Sequence, residues 1–314
     1  MQKIKKEQFS FQIPKNYNLR PVSRLKFNSE KPSIIFTAGP TGSGKSKLVE
    51  KTLELLYHKR TPPEFKEFLI DDFVENSQSY KASVDNIIQE FDCKTSRTDG
   101  KCNLITPSKN LLKAFERAYF QTRKNGPCTF KNSQYNQSCQ SIYYKEIEDA
   151  LKNQQNISIE TTGKSIPTKW FHLYGERFLK DYNFIFVYSI VSFEELKKRN
   201  KQRAKRGIQK YMSHKESKSN PAPRLPDVSV EVFIKATTVI NNTLIKLRNY
   251  CLRRGRPDQK DCGPINSSGR FVLLIFDNEN KKEKLIYDSR TSDSFKTEAE
   301  FKEVIYKYSL SLSK

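Results

Sequence analysis

Residues 33–59 read SIIFTAGPTGSGKSKLVEKTLELLYHK, and this stretch decides the fold. Ser33 to Ala38 is a short apolar run that suits a buried strand. Gly39-Pro40-Thr41-Gly42-Ser43-Gly44-Lys45-Ser46 fits G-x-x-x-x-G-K-[ST] with no departure. From Lys45 onward, Leu48, Val49, Leu53, Leu55 and Leu56, with Thr52 beside them, make the core-facing stripe of a helix. Pro62 and Pro63 then stop it. Strand, glycine turn and helix in that order make a phosphate-binding loop. Its glycines let backbone N–H groups curl around anionic oxygens, and the helix N-terminus adds a partial positive charge. The expected nucleotide-binding residues are Gly39, Pro40, Thr41, Gly42, Ser43, Gly44, Lys45, Ser46 and Lys47. Lys45 should reach the β- and γ-phosphates of ATP or GTP, and the Ser46 hydroxyl should ligate Mg²⁺.

Outward from this stretch the pattern keeps alternating. Strands are expected at 65–70, 157–160, 182–188, 271–277 and 284–287. Helices are expected at 83–91, 110–122, 141–153, 167–180, 192–206, 228–251 and 296–309, with Ser192 opening the fifth of these as its N-cap. Such alternation predicts an α/β fold of the phosphate-loop NTPase type, a doubly wound, largely parallel sheet with helices on both faces. Ligands in such sheets bind at the carboxyl ends of the strands. The organisation expected is a basic N-terminal arm at 1–32, one kinase-like domain at 33–288 and a C-terminal helical segment at 289–314. A polar, cysteine-bearing insertion covers about 92–140, and a basic lid region covers about 196–226. Within that lid, the Pro- and Ser-rich residues 207–226 read as mobile.

The chain has 314 residues and a formal net charge of +22. That excess suits an anionic partner, nucleotide or nucleic acid, or equally a Lys- and Asn-rich compositional bias. The six cysteines form no C-x-x-C pair. Free thiols in a reducing compartment are the default reading, with a metal cluster of Cys93, Cys102, Cys128 and Cys139 as the alternative. The N-terminus lacks the apolar core of a secretory signal. No apolar stretch approaches a membrane span, so a soluble, cytoplasmic protein is expected.

A phosphate loop alone does not separate a kinase from an ATPase, a GTPase or a motor. The guanine-reading N-K-x-D motif is absent, and so short a chain shows no second helicase core. Three features favour a kinase for a small hydroxyl-bearing substrate. Asp71 and Asp72 end the expected second strand, where a carboxylate can take the proton of an attacking hydroxyl. Glu160, with Thr161 and Thr162 after it, ends the next and could hold Mg²⁺ or a substrate hydroxyl. Arg199, Arg203 and Arg206 share one helix face and could neutralise charge on the transferred phosphoryl group.

At these residues the chain resembles the zeta-toxin-like phosphate-loop kinases. The carriers are GPTGSGKS (39–46), IDDFVENSQSYK (70–81), ISIETTG (157–163), FIFVYSIVSFEELKKRNKQR (184–203) and FVLLIFDN (271–278). The resemblance implies ATP and Mg²⁺ as cofactors and transfer of the γ-phosphate to a hydroxyl, in the toxins one on a UDP-linked amino sugar. It gives Asp71 the base role ahead of Asp72, and Lys45, Arg199 and Arg203 catalytic roles, the arginines on a lid. Glu160 becomes a substrate or metal residue and Tyr80 a substrate-segment aromatic, and Asp277-Asn278 falls near the adenine. The chain departs from the pattern at Val74 and Glu75, where a basic residue is usual, and in the 92–140 insertion. Two other functions fit the sequence: a polynucleotide kinase or nucleic-acid-binding ATPase, and a non-catalytic, nucleotide-gated interaction module.

Overall fold

The structure is a computed structural model that describes residues 27–57, 61–91, 108–130, 133–165, 181–213, 221–225, 229–251, 270–290 and 297–309. Six strands form one sheet in the order β2-β5-β1-β6-β7-β8. They are β1 (Ser33–Ala38), β2 (Lys66–Phe68), β5 (Ile157–Thr161), β6 (Asn183–Ile190), β7 (Phe271–Asp277) and β8 (Lys284–Asp288). The first five in the sheet run parallel, and β8 returns antiparallel on β7. The fold is therefore α/β with a mostly parallel sheet.

Burial on both faces explains the unbroken apolar runs. Side chains alternate across a strand. Ile34 and Phe36 enter one core, together with Phe184, Phe186, Tyr188, Phe271, Leu273 and Ile275. Ile35 enters the core on the other face, with Ile185, Val187, Val272, Leu274 and Phe276. The helix α1 (Lys45–Tyr57) covers that second face through Leu48, Val49 and Leu56. The first face is covered by α5 (Cys139–Lys152), α7 (Val230–Lys246) and α8 (Glu298–Ile305). Within it Phe186 lies 4.9 Å from Phe36 and 5.0 Å from Phe271, ring centre to ring centre, so aromatic packing ties three parallel strands.

A separate cluster lies beside the β2 edge. It joins α2 (Ile70–Asn76), α3 (Gln78–Glu90), α4 (Lys109–Phe120) and the hairpin β3 (Cys128–Phe130) and β4 (Ser133–Tyr135). The long α6 (Phe193–Ser213) adds Ile208, and the segment 221–225 adds Ala222 and Leu225. Ser77 caps α3 by accepting the Tyr80 backbone N–H at 3.3 Å, so that helix begins earlier than the expected 83.

Four expectations need correction. The second strand is shorter than 65–70, and Asp71 and Asp72 sit in the first turn of α2 rather than on a strand end. Acidic residues suit a helix N-terminus, where the backbone amides are unpaired. The insertion expected at about 92–140 as a polar tract contributes the β3-β4 hairpin. Residues 207–213 continue α6, and 221–225 pack into the core; neither belongs to a mobile stretch. Last, Cys128 and Cys139 form a disulfide, their Cα atoms 4.9 Å apart because the hairpin folds back onto the start of α5. That pairing replaces the expected free thiols at these two positions and withdraws thiol count as a ground for a reducing compartment. No group of three potential metal ligands occurs among the described residues, and Cys93 and Cys102 lie outside them. So do the expected helix at 167–180 and most of the basic arm. Among the described residues no helix is long and apolar enough to cross a membrane.

Candidate active site

The site begins where β1 ends. Gly39, Gly42 and Gly44 adopt φ values of +152°, +88° and +82°, a region that L side chains rarely enter. A Cβ on Gly44 would come 2.4 Å from Asn278 Nδ2, and one on Gly42 would come 2.7 Å from Asn200 Nδ2. The loop is thus held from outside. Asn278 Nδ2 and Ser189 Oγ both donate to the Ser43 carbonyl at 2.7 Å. Asn200 Nδ2 donates to the Thr41 carbonyl at 2.8 Å. Arg199 fixes this brace: Nε bonds Glu195 at 2.8 Å, and Nη2 donates to the Asn278 carbonyl at 2.6 Å.

Lys45 is buried and folds over its own loop. Its Nζ donates to the Pro40 carbonyl at 3.1 Å and pairs with Glu160 Oε1 at 3.2 Å. The other Glu160 oxygen accepts from Ser46 Oγ at 3.4 Å. A hydroxyl and a carboxylate oxygen side by side are the hard donors that Mg²⁺ takes. The residues present therefore fit a triphosphate on the loop, with Ser46 and Glu160 as the holders of a magnesium ion. Ser46 and Lys47 are exposed at the mouth.

Asp71 comes from α2, at the carboxyl end of β2. Its Oδ1 accepts from the Tyr119 hydroxyl, and Oδ2 pairs with Arg224 Nη1 at 2.5 Å. The Arg224 guanidinium also lies over the Tyr119 ring, 4.2 Å from its centre. Burial pushes the Asp71 carboxyl up, but Arg224, the Tyr119 hydroxyl, Arg203 and Lys45 outweigh it and hold the group below the usual carboxylate range. Tyr119 falls in the expected helix at 110–122 with nothing in the sequence to single it out, and Arg224 lies in a segment read as mobile. No local spacing could link them to Asp71, because the contacts span 48 and 153 residues.

Glu75 was also missed, and it stands four residues on, on the same face of α2. Only 9% of it is exposed, and its Oε1 has no hydrogen-bond partner among the described residues. Arg203 Nη2 stands 3.7 Å from that oxygen. Burial, which Arg203 opposes and Asp71 adds to, pushes its pKa up to about 7.

The remaining expected residues fall as follows. Asp72 is exposed beside Asp71, and Arg203 reaches into solvent from α6. Arg199 is nearly buried and committed to the loop brace, so it forms a fixed wall rather than a moving lid. Tyr80 is fully buried, its hydroxyl donating to the Pro223 carbonyl at 3.2 Å, so it supports the 221–225 segment from behind. Thr161 Oγ1 accepts from Gly163 N at 2.8 Å to shape the turn after β5, and Thr162 is exposed. Asp277 pairs with Lys307 at 2.6 Å, and Asn278 braces the loop. Beside the site, Arg199, Gln202, Arg203, Arg206, Gly207 and Lys210 line a groove of about 380 Å³ along one face of α6.

The fold and site define an α/β protein with a braced, glycine-rich G-x-x-x-x-G-K-S loop at the end of its central strand. No protein-family profile matches the chain, and no curated protein matches it. Among solved structures, it is similar to one described under "Molecular and structural characterization of the PezAT chromosomal toxin-antitoxin system of the human pathogen Streptococcus pneumoniae". The two are 12% identical, the match covers 93% of this chain and 83% of that one, and the TM-score is 0.42.

Proposed function

We propose that the protein is a kinase that transfers the γ-phosphate of ATP to a hydroxyl of a small, phosphate-bearing or nucleotide-like acceptor. One observation carries the reading. The braced loop with Lys45 and the Ser46–Glu160 pair shares one end of the sheet with a second carboxylate, the half-buried Asp71, which Tyr119 and Arg224 hold and help keep ionised. Binding and orienting the triphosphate needs the first group only; taking the proton of an attacking hydroxyl, whether of an acceptor or of water, also uses the second. When bound, Mg²⁺ at Ser46 and Glu160 would neutralise charge on the triphosphate oxygens. The chain's own residues do the rest. Lys45 grips the phosphates and Asp71 accepts the acceptor's proton as its oxygen bonds the phosphorus and ADP leaves. Arg203 and Arg206 draw the acceptor's anionic part into the α6 groove.

The test is a screen for γ-phosphate transfer against nucleosides, nucleotide sugars and 5′-hydroxyl oligonucleotides. Transfer is expected in the wild type and lost in Lys45→Ala. In Asp71→Asn it should fall by about a hundredfold or more while ATP affinity holds. ATP binding with no transfer to any acceptor would favour the interaction-module reading instead. Transfer to the oligonucleotides alone would make the enzyme a polynucleotide kinase.

A further inference from the structure

Asp71 is gripped by two side chains that no other part of the site requires. Tyr119 comes from α4 and Arg224 from the segment 221–225, and each takes a different oxygen of the carboxylate. Both partners are themselves held. The Ala222 N–H donates to the Glu75 carbonyl at 2.8 Å, and Pro223 accepts from Tyr80. Ala222 and Leu225, on either side, are buried. The Tyr119 ring is buried, meets Tyr80 edge to face at 6.1 Å, and carries the guanidinium on its face. Arg224 is therefore fixed on both flanks and stacked, unlike Arg203, whose side chain is 56% exposed.

We propose that Tyr119 and Arg224 are positioning residues for phosphoryl transfer, which hold the Asp71 carboxylate in one orientation to receive the acceptor's proton. The proposal rests on the kinase reading of the same site. A carboxylate offers about four lone-pair directions, so two donors leave room for an acceptor hydroxyl. A base that must be aimed within a fraction of an ångström is served by partners that remove its rotational freedom. The other charged groups facing Asp71 are Lys45 of α1, Arg203 of α6, and Asp72 and Glu75 of its own helix. The cations among them help keep it ionised, and the acids oppose that. Removing either partner should free the side chain and raise the pH at which it protonates.

The variants are Tyr119→Phe, which keeps the ring and its stacking, and Arg224→Gln. Tyr182→Phe is the control; its hydroxyl bonds the Leu151 and Gln155 carbonyls, away from the site. The Asp71 carboxyl is titrated by ¹³C NMR, assigned by its loss in Asp71→Asn. ATP turnover, with water as the acceptor probe, is followed against pH. We expect the carboxyl titration and the acid limb of turnover to move together to higher pH in both variants but not in the control. Turnover at its optimum should fall about tenfold in Tyr119→Phe, with ATP affinity unchanged by calorimetry. An unmoved titration would overturn the proposal, as would a moved titration with an unmoved pH profile. If Arg224→Gln does not fold, Tyr119→Phe decides alone. A wild type that binds ATP but neither releases γ-phosphate to water nor transfers it to any acceptor of the screen would remove the kinase reading beneath the proposal, a failure separate from these.

Discussion

Glu75 shows how a single buried carboxyl shapes the protein's response to pH. Its ordinary pKa is near 4.5, and burial in the cluster around α2 lifts it to about 7. A raised carboxyl pKa means the folded state holds the proton more tightly than the unfolded chain. The stability it contributes is full below about pH 4.5 and is lost as pH rises through about 7. Above that range the buried charge costs about 3 kcal/mol relative to the neutral form. Glu75→Gln keeps the shape and removes the charge. The gap between melting temperatures at pH 5 and pH 8 should therefore narrow by about 5 °C in the variant. Equal gaps in the two proteins would mean that Glu75 is solvated. Asp71 has the opposite sign. Its pKa is depressed, so its contribution is present above the ordinary aspartate range and is lost as pH falls through its own lowered value. At this scale the sequence told part of the story. Lys45, Ser46 and Glu160, which the structure brings into contact, could be named from the motif and a strand end, and Asp71 from an expected strand end that is the start of a helix. Glu75 could not, since its helical spacing from Asp71 has meaning only once 70–76 is known to be a helix.

The phosphate loop is an element whose shape is imposed by its neighbours. Gly44 stands at φ +82°, with the Asn278 amide in the space a Cβ would fill. Gly44→Ala should weaken ATP binding by about tenfold or more, while the far-ultraviolet circular dichroism stays that of the wild type. Unimpaired binding would show that the loop relaxes freely and that the brace from Asn278 and Arg199 has no role. The elements that sequence reading placed well are those with a strong period and a clear stop. Phe271–Asp277 matches its expected bounds, and Ser192 does cap α6, accepting from Glu195 N at 3.3 Å. The elements it misplaced are short or held by distant partners. β2 has three residues, and 221–225 has no regular structure of its own. Its position comes from Ala222, Leu225 and the Arg224–Asp71 pair, none of which leaves a periodic trace.

Over the whole molecule, the strand order carries the site. The order β2-β5-β1-β6-β7 puts the phosphate loop beside the end of β5, which supplies Glu160, and one strand further from Asp71 at the end of β2. The parallel sheet was legible because the apolar strands at 33–38, 157–160, 182–188 and 271–277 alternate with helical patterns. The cluster on α2, α3 and α4 was not, because its members are scattered from Val74 to Leu225 and meet only in three dimensions. Part of the net charge of +22 lies along α6, where Arg199, Arg203, Arg206 and Lys210 line the groove. All of this has a purpose only if the loop holds a triphosphate. The deciding measurement is calorimetric titration of ATP with Mg²⁺ into the wild type and Lys45→Ala. Saturable heat is expected from the wild type, with affinity reduced by about tenfold or more in the variant. Indistinguishable titrations of the two proteins would contradict the account.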